Sequence, residues 1–239
     1  MKRLFTGVAD LIFPPVCVTC GIVLNRSENP FCAGCLSQIR FIGSPLCPRC
    51  GMPYPVDEGE DHLCEDCIES ASSFTMARAA GKYETVFMDV IHRFKYQGKI
   101  FIGEALGKFM AGLDYTGLEI SDRTLIIPIP LHRKRLRERG FNQSVILARE
   151  ISRHYAVPMK FGLLKRKIHT EPQINLGKDD RVRNVKGAFE VVSPEVIEGA
   201  KILLIDDVYT TGSTVNECAK VLRKNGAADV VVLTLARAV

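Results

Sequence analysis

The stretch Ile202-Leu203-Leu204-Ile205-Asp206-Asp207-Val208-Tyr209-Thr210-Thr211-Gly212-Ser213-Thr214 decides the fold of this 239-residue chain. It opens with four apolar residues, which predict a strand buried on both faces of a parallel sheet. Two carboxylates follow where that strand should end, and hydroxyl side chains around one glycine come next. The residues from Val215 to Leu222 then have helical spacing. This order of strand, loop and helix predicts an α/β fold with a ligand at the carboxyl end of the strand.

The loop in this stretch is a predicted anion site. Backbone N–H groups at a helix N-terminus are unpaired, and the positive end of the helix dipole points at the loop. Gly212 would let the backbone approach a phosphate closely, and Asp206 and Asp207 suit a vicinal diol or Mg²⁺. Hydroxyl donors would come from Thr210, Thr211, Ser213 and Thr214. A ligand with a phosphate and a ribose fits this loop. The plainer alternative is a strand ending in two acids before a helix capped by Ser or Thr.

Phosphate-binding motifs of other kinds do not occur in the sequence. It contains neither Gly-x-x-x-x-Gly-Lys nor Gly-x-Gly-x-x-Gly. The stretch resembles instead the signature of the type I phosphoribosyltransferases, a strand with paired acids and a Thr-Thr-Gly-x-Thr loop that holds phosphoribosyl pyrophosphate (PRPP). The resemblance implies that residues 210–214 bind the 5-phosphate and that Asp206 and Asp207 bind the ribose hydroxyls. It also implies displacement of pyrophosphate with the help of Mg²⁺ bound with PRPP.

Cysteine pairs dominate the N-terminal part of the chain. Eight of the nine cysteines form Cys-x-x-Cys pairs, namely Cys17/Cys20, Cys32/Cys35, Cys47/Cys50 and Cys64/Cys67. In a secreted chain disulfides would be considered. Asp10, however, interrupts the apolar run of residues 1–13 and no cleavage site follows, so we expect a docked amphipathic helix and a cytoplasmic protein. A metal is therefore favoured, and two such pairs complete a tetrahedral Zn²⁺ site.

The spacing of the cysteine pairs repeats after 30 residues. In both repeats a glycine follows the second cysteine of the first pair, Gly21 after Cys20 and Gly51 after Cys50. This repeat favours two zinc ribbons in sequence, each with one ion, over an interleaved cross-brace. Four thiolates leave no position open for a substrate, so both zinc ions are expected to be structural. Cys218, in the helix after the loop, is expected to be a buried small hydrophobic residue.

Strands and helices alternate after about residue 73, which predicts a mostly parallel sheet. We expect two parts: residues 1–72 with the N-terminal helix and the double zinc ribbon, and residues 73–239 with a phosphoribosyltransferase-like domain. Strands are predicted at 76–83, 124–130, 163–164, 189–192, 202–205 and 229–236, and helices at 85–96, 100–113, 142–155 and 215–222. No apolar stretch reaches the roughly 20 residues that cross a bilayer.

Charge divides the chain in the same way. Residues 1–75 hold five Lys or Arg against nine Asp or Glu, while the remainder holds 27 against 18. The basic residues of the second part cluster at 92–99, 132–139, 165–169 and 178–186. Such runs are usually solvated surface. The second cluster, however, follows a predicted strand end, where parallel sheets bind ligands.

In the phosphoribosyltransferase resemblance, a turn after this strand wraps the pyrophosphate and a mobile loop closes over PRPP. Residues 130–133 match the turn, and residues 166–183 match the mobile loop. The implied catalytic residues are Asp206, Asp207 and Arg133. The further implied PRPP ligands are Pro130, Leu131, His132, Arg139, Gln173, Arg181 and Lys186.

The whole set of motifs is similar to the ComF family. The motifs are the four cysteine pairs, Ile129-Pro130-Leu131-His132, Arg139-Gly140-Phe141-Asn142-Gln143, Arg181-x-x-Asn184-Val185 and the acid-pair loop. The resemblance implies a cytoplasmic protein of natural transformation that assists the uptake of single-stranded DNA. Its implied partners are that DNA and other uptake proteins, such as the helicase of the pathway. The alternative is an active phosphoribosyltransferase of nucleobase or nucleotide metabolism, moving ribose 5-phosphate from PRPP to an acceptor.

Two features bear on this choice. The sequence ends at Val239, soon after the last strand, so no C-terminal hood is expected, and the ribbons or residues 76–110 would have to cap the PRPP site. Single-stranded DNA binding combines positive grooves with stacking aromatic rings. Rings interleaved with basic residues belong to Phe94, Tyr96, Phe101 and Phe141. Amphipathic helices could bury those rings in the core instead.

Overall fold

The computed structural model describes residues 14–25, 29–56, 58–168 and 183–239. The helix expected within residues 1–13 lies outside these ranges, and so do Gln173 and Arg181. Within them, no helix combines the length and the apolar character that a membrane crossing requires.

A four-stranded parallel sheet forms the centre of the molecule. The described residues form six strands, of which β1, β2, β5 and β6 make up this sheet: β1 (Met76–Lys82), β2 (Leu125–Pro128), β3 (Leu164–Arg166), β4 (Phe189–Val191), β5 (Lys201–Tyr209) and β6 (Asp229–Arg237). The order in the main sheet is β1-β6-β5-β2, and all three pairings are parallel. β5 is therefore an inner strand, and its residues 202–205 are fully buried. This confirms the parallel α/β sheet that the apolar run predicts.

Helices cover both faces of the sheet. The helices of the described residues are α1 (Ala33–Leu36), α2 (Glu65–Glu69), α3 (Thr85–Tyr96), α4 (Ile100–Ala111), α5 (Arg133–Arg139), α6 (Gln143–Tyr155), α7 (Pro194–Ile197) and α8 (Ser213–Lys224). Leu203 and Ile205 pack in one apolar core with α3, α4 and α6, while Ile202 and Leu204 pack in a second core with α8. Because consecutive strand residues point to opposite faces, one apolar run supplies both cores.

A small antiparallel pair lies apart from the main sheet. β3 and β4 pair from Leu164 opposite Val191 to Arg166 opposite Phe189. The sequence predicts both strands but not their pairing with each other, because three residues are too few to show which partner a strand will choose. The pair frames the basic stretch 166–183, of which residues 169–182 lie outside the described ranges.

The two zinc ribbons pack against opposite cores of the sheet. The first ribbon (residues 16–36) places the ring of Phe31 5.1 Å from that of Phe109 on α4. Arg93 of α3 donates hydrogen bonds to two backbone carbonyls of the same ribbon. The second ribbon (residues 46–69) buries Cys47 in the α8 core together with Phe74. Each ribbon has little core of its own and is stabilised by the layer it covers.

Helix α5 is the longest of four short helices among the described residues that the sequence does not predict, the others being α1, α2 and α7. Arg133 belongs to the predicted turn at residues 130–133, but it begins a helix that His132 caps by accepting a hydrogen bond from the backbone N–H of Lys134 at 3.2 Å. Gly140 ends the helix with a left-handed φ of +81°. Leu136 is its one apolar residue, so the segment has no apolar periodicity from which a helix could be recognised.

Candidate ligand site and metal centres

The acid pair lies at the carboxyl end of β5, and each carboxylate is held by a different helix. Oδ1 of Asp206 accepts hydrogen bonds from Oγ of Ser144, in the first turn of α6, and from the backbone N–H of Asp207, both at 2.9 Å. Oδ2 of Asp207 lies 2.9 Å from Nζ of Lys95, in the last turn of α3. The side chain of Asp207 is only 6% exposed and that of Lys95 only 19%. The pair is therefore fixed before any ligand arrives.

Burial and charge set the protonation of this site. Burial raises the pKa of Asp206 to about 7, and the charge of Asp207 acts in the same direction against Lys95 and Ser144. Burial lowers the pKa of Lys95. The attraction of its ammonium group to Asp207 and Asp206 outweighs burial, so the pKa is raised on balance. Burial and the charge of Asp207 therefore oppose ionisation of Asp206, and the ammonium of Lys95 favours it.

The loop after β5 turns at Gly212, which has φ +76° and ψ −4°. A Cβ atom added to Gly212 would lie 2.2 Å from Oη of Tyr209, so the loop closes over that ring only without a side chain. Oγ1 of Thr211 and Oγ of Ser213 are 2.7 Å apart. Helix α8 starts at Ser213, so its first N–H groups face this loop. The sequence predicts this glycine turn, and the structure has it at that position.

The loop that follows β2 starts beside the acid pair. Pro128 is opposite Ile205 in the register of β2 and β5, and the N–H of Ile129 donates to the carbonyl of Ile205 at 2.9 Å. Nδ2 of Asn142 donates back to the carbonyl of Ile129, also at 2.9 Å. These contacts close the loop around α5. The predicted turn at residues 130–133 and the acid pair therefore share one edge of the sheet.

The two groups of predicted PRPP ligands line separate cavities. The turn residues Pro130, Leu131, His132 and Arg133 line a cavity of about 670 Å³ between α5 and the β3–β4 pair, together with Lys165 and the exposed Phe161. Residues 210–213 line another, of about 340 Å³, whose opposite wall belongs to the second ribbon and the linker after it. Neither Asp206 nor Asp207 is among the residues that line these two cavities.

Arg237 connects the second ribbon to the support of the loop. It lies near the end of β6, is 4% exposed, and donates from Nη1 to the backbone carbonyl of Cys50 at 2.7 Å. Its guanidinium lies 4.2 Å from the centre of the Tyr209 ring, the ring over which Gly212 turns. The second ribbon therefore adjoins the loop, whereas the first ribbon packs on the α3–α4 layer.

The paired cysteines form two clusters in sequence order. The sulfurs of each cluster lie within 4.8 Å of one another, and the clusters are Cys17, Cys20, Cys32 and Cys35, and Cys47, Cys50, Cys64 and Cys67. This confirms the sequential grouping over the interleaved one. Four sulfurs so close together suit the tetrahedral coordination of Zn²⁺.

The backbone around Cys47 favours a thiolate at that position. Burial raises the pKa of Cys47, but hydrogen bonds from the backbone at Cys50, Cys64 and Arg49 outweigh it and lower the pKa to about 7. Gly21 and Gly51 have positive φ, as the repeat predicts for the turn of a zinc knuckle. Cys218 is fully buried in the α8 core, which confirms its expected role as a small hydrophobic residue.

The remaining predicted ligands are distributed around the same edge. Nη1 of Arg139 donates to Oε1 of Gln143 at 2.6 Å, and its guanidinium lies 5.4 Å from the centre of the Tyr96 ring. Lys186 is exposed, and the next residue in the chain donates its N–H to Glu217 of α8 at 2.8 Å. Gln173 and Arg181 lie outside the described residues.

The aromatic residues proposed for DNA stacking divide into two pairs. Phe94 is fully buried and its ring stacks on that of Phe141 at 5.4 Å, so for these two the core-packing alternative is correct. Tyr96 and Phe101 are 57% and 53% exposed. A stacking surface would therefore have to use the second pair.

Lys95 is one of the site residues that the sequence did not single out. It belongs to the basic cluster at 92–99, and a run of basic residues usually lies on a solvated surface. Its spacing carried a signal, however, because Phe87, Ile91 and Lys95 follow one another at four-residue intervals along α3. The first two are fully buried, so a lysine at the next position lies on the inner face of the helix. Such a lysine needs a buried partner, and Asp207 is that partner.

Comparison with known proteins agrees with both parts of this architecture. Residues 8–68 match the double zinc ribbon domain and residues 142–238 match the phosphoribosyl transferase domain. The chain is 34% identical to Competence protein F of Haemophilus influenzae, over 93% of this chain and 96% of that protein. It is 32% identical to the DNA utilization protein YhgH of Escherichia coli K12, over 95% and 99%, and 29% identical to Competence protein ComFC of Bacillus subtilis, over 90% and 88%. This chain therefore belongs to the family of Competence protein F, and it joins a double zinc ribbon to a phosphoribosyltransferase domain.

Proposed function

We propose that this protein binds PRPP at the carboxyl end of β5 and acts in natural competence, where it assists the uptake of transforming single-stranded DNA. One observation carries the ligand assignment. The acid pair Asp206 and Asp207 lies near the end of an inner strand of a parallel sheet. A few residues later the chain turns at a left-handed Gly212 into the N-terminus of a 12-residue helix. Carboxylates suit the ribose hydroxyls, and the helix N-terminus with its hydroxyl side chains suits the 5-phosphate.

The surrounding charge supports a ligand that also carries pyrophosphate. Arg133, Lys165 and Lys167 line the cavity beside the predicted pyrophosphate turn. Mg²⁺ bound with PRPP would neutralise the departing pyrophosphate in any transfer reaction. The oxygen ligands that Mg²⁺ prefers are present at Asp206 and Asp207. The chain itself would orient the ribose with these carboxylates and hold the phosphate with the backbone of the loop.

Binding of PRPP is tested by calorimetric titration of the zinc-loaded protein with PRPP and Mg²⁺. We expect the wild type to bind and Asp206→Asn to lose about tenfold or more in affinity, since a carboxylate that accepts hydrogen bonds from the ribose is replaced by an amide. Asp122→Asn is the matched control, because Asp122 is an exposed acid that pairs with Lys201 at the other end of β5. A wild type that does not bind PRPP, or equal affinities of the two variants, would refute the assignment.

The DNA-uptake role is supported by the names of the relatives and by the basic surface near α5. Arg133 and Arg137 are exposed on α5. The ring of Tyr96 lies beside the same helix, because the guanidinium of Arg139 is 5.4 Å from the centre of that ring. Phosphate contacts release counterions, so the affinity for a single-stranded oligonucleotide should fall with salt. Arg133→Gln/Arg137→Gln should reduce the slope of log affinity against log salt by up to about 1.4, and Lys108→Gln, an exposed lysine on α4, should leave it unchanged. Affinity that does not depend on salt would contradict this role.

The second candidate is an active phosphoribosyltransferase of nucleobase or nucleotide metabolism. It is favoured by the cavity of about 340 Å³ between the second ribbon and residues 210–213, which offers space for an acceptor next to the loop. Release of pyrophosphate from PRPP, measured with a panel of nucleobases, tests turnover. Acceptor-dependent release that Asp206→Asn abolishes supports catalysis. Binding of PRPP without release under any acceptor restricts PRPP to the role of a bound ligand.

A further inference from the structure

Lys95 and Asp207 form a buried ion pair in the middle of the candidate site. Nζ of Lys95 is 2.9 Å from Oδ2 of Asp207, and the two side chains are 19% and 6% exposed. Asp207 lies on the face of β5 that packs against α3, α4 and α6, because it shares the face of Leu203 and Ile205. Asp206 accepts a hydrogen bond from Oγ of Ser144 on α6. The ammonium of Lys95 therefore balances the charge of one member of the acid pair.

This arrangement has a consequence for metal binding. Two adjacent carboxylates in a partly desolvated site form a strong binding site for a divalent cation, because oxygen ligands and two negative charges suit such an ion. The ammonium of Lys95 lies next to one of these carboxylates and already balances its charge when no metal is bound. It also repels a divalent cation that approaches the pair, and this repulsion is strong at short range where the dielectric constant is low. The free acid pair should therefore bind a divalent cation weakly, even though its residue types suit one.

We propose that Lys95 is the built-in counter-ion of the acid pair, a positioning residue that holds Asp207 for the ribose and prevents free divalent cations from occupying the site. A metal ion then enters with the phosphates of PRPP and not before it. The proposal rests on the proposed function insofar as PRPP is the arriving ligand, but its central claim concerns the ligand-free protein.

Mn²⁺ is a suitable probe, because it favours carboxylate oxygens and its free concentration can be followed by electron paramagnetic resonance. The zinc-loaded protein is titrated with Mn²⁺ in the absence of PRPP. We expect Lys95→Met to bind one Mn²⁺ about tenfold or more tightly than the wild type, since methionine keeps the length of the side chain and removes its charge. Lys95→Arg should bind Mn²⁺ as weakly as the wild type, and Lys108→Met controls for the loss of a lysine elsewhere.

Loss of the ammonium leaves Asp207 buried without its partner, so Lys95→Met is expected to be less stable. Mn²⁺ should then raise its thermal midpoint, because the ion replaces the missing charge, and should leave the midpoint of Lys108→Met unchanged. Equal Mn²⁺ affinity of Lys95→Met and the wild type, or an unstable Lys95→Met that Mn²⁺ does not stabilise, would overturn the proposal. These measurements contain no PRPP, so their failure is distinct from a failure of the wild type to bind PRPP.

Discussion

Substitution of Gly212 by alanine is the most informative test of the loop geometry. The residue has a φ of +76°, and a Cβ atom at that position would lie 2.2 Å from Oη and 2.6 Å from Cζ of Tyr209. The ring is buried, and the guanidinium of Arg237 lies 4.2 Å from its centre. Gly212→Ala must therefore accept a strained backbone and also displace a packed ring.

The two costs can be separated by magnitude. A left-handed conformation costs a residue other than glycine about 1–2 kcal/mol. Forcing an additional methyl group into a packed site costs about 1–3 kcal/mol more. We therefore expect Gly212→Ala to lower the free energy of unfolding by about 2–5 kcal/mol.

Gly199 provides a matched control within the same chain. Its φ is +70°, no atom lies within 4 Å of an added Cβ, and it lies at the amino end of β5, away from the loop. Gly199→Ala should therefore cost only the conformational part, about 1–2 kcal/mol. Urea denaturation of the zinc-loaded proteins, followed by tyrosine fluorescence, measures both values.

A third variant identifies the obstacle. If the new methyl group meets the ring of Tyr209, Gly212→Ala should lower the free energy of unfolding by less in a Tyr209→Leu background than in the wild type. We expect the difference to be at least about 1 kcal/mol. Equal destabilisation by Gly212→Ala and Gly199→Ala, or full additivity with Tyr209→Leu, would refute the close approach of the loop to this ring.

Two further predictions concern the metal centres and the response to acid. Zinc analysis of the purified protein should give two ions per chain, and Cys20→Ser/Cys32→Ser should retain one, because both residues belong to one cluster; an interleaved arrangement would lose both ions. Burial raises the pKa of Asp229, but the hydroxyl of Thr75 and the guanidinium of Arg123 lower it on balance. A folded-state pKa below the unfolded value contributes stability at pH values above about 4, and this contribution is lost as the pH falls through the folded-state pKa. Asp229→Asn should accordingly weaken the acid-induced loss of stability between about pH 5 and pH 2 in denaturation curves, and an unchanged acid limb would contradict this.

The sequence predicts elements whose residues carry a strong periodic signal. The apolar run at 202–205, the helix at Thr85–Tyr96 and the final strand all lie where their patterns place them. The cysteine clusters follow from spacing alone, because two residues between thiolates allow one ion to bind both. Helix α5 is missed because one apolar residue among charged ones gives no period to detect. The separate pairing of β3 and β4 is missed because strand partners are chosen by contacts between segments distant in the chain.

The groups that can bind a metal or a ligand are recognisable from the order of the amino acids: eight paired thiolates, two adjacent carboxylates, and a glycine among hydroxyls at the start of a helix. These groups act over a few residues, so their local order suffices to recognise them. Their partners follow only from the packing of the folded chain. In the folded chain Asp207 pairs with Lys95 of α3, and Asp206 accepts a hydrogen bond from Ser144 of α6. Arg237, beside the second ribbon, packs on the ring of Tyr209 that supports the loop. Those pairings depend on how helices and ribbons pack across the sheet, and burial then makes each of them strong because water no longer competes for the charge.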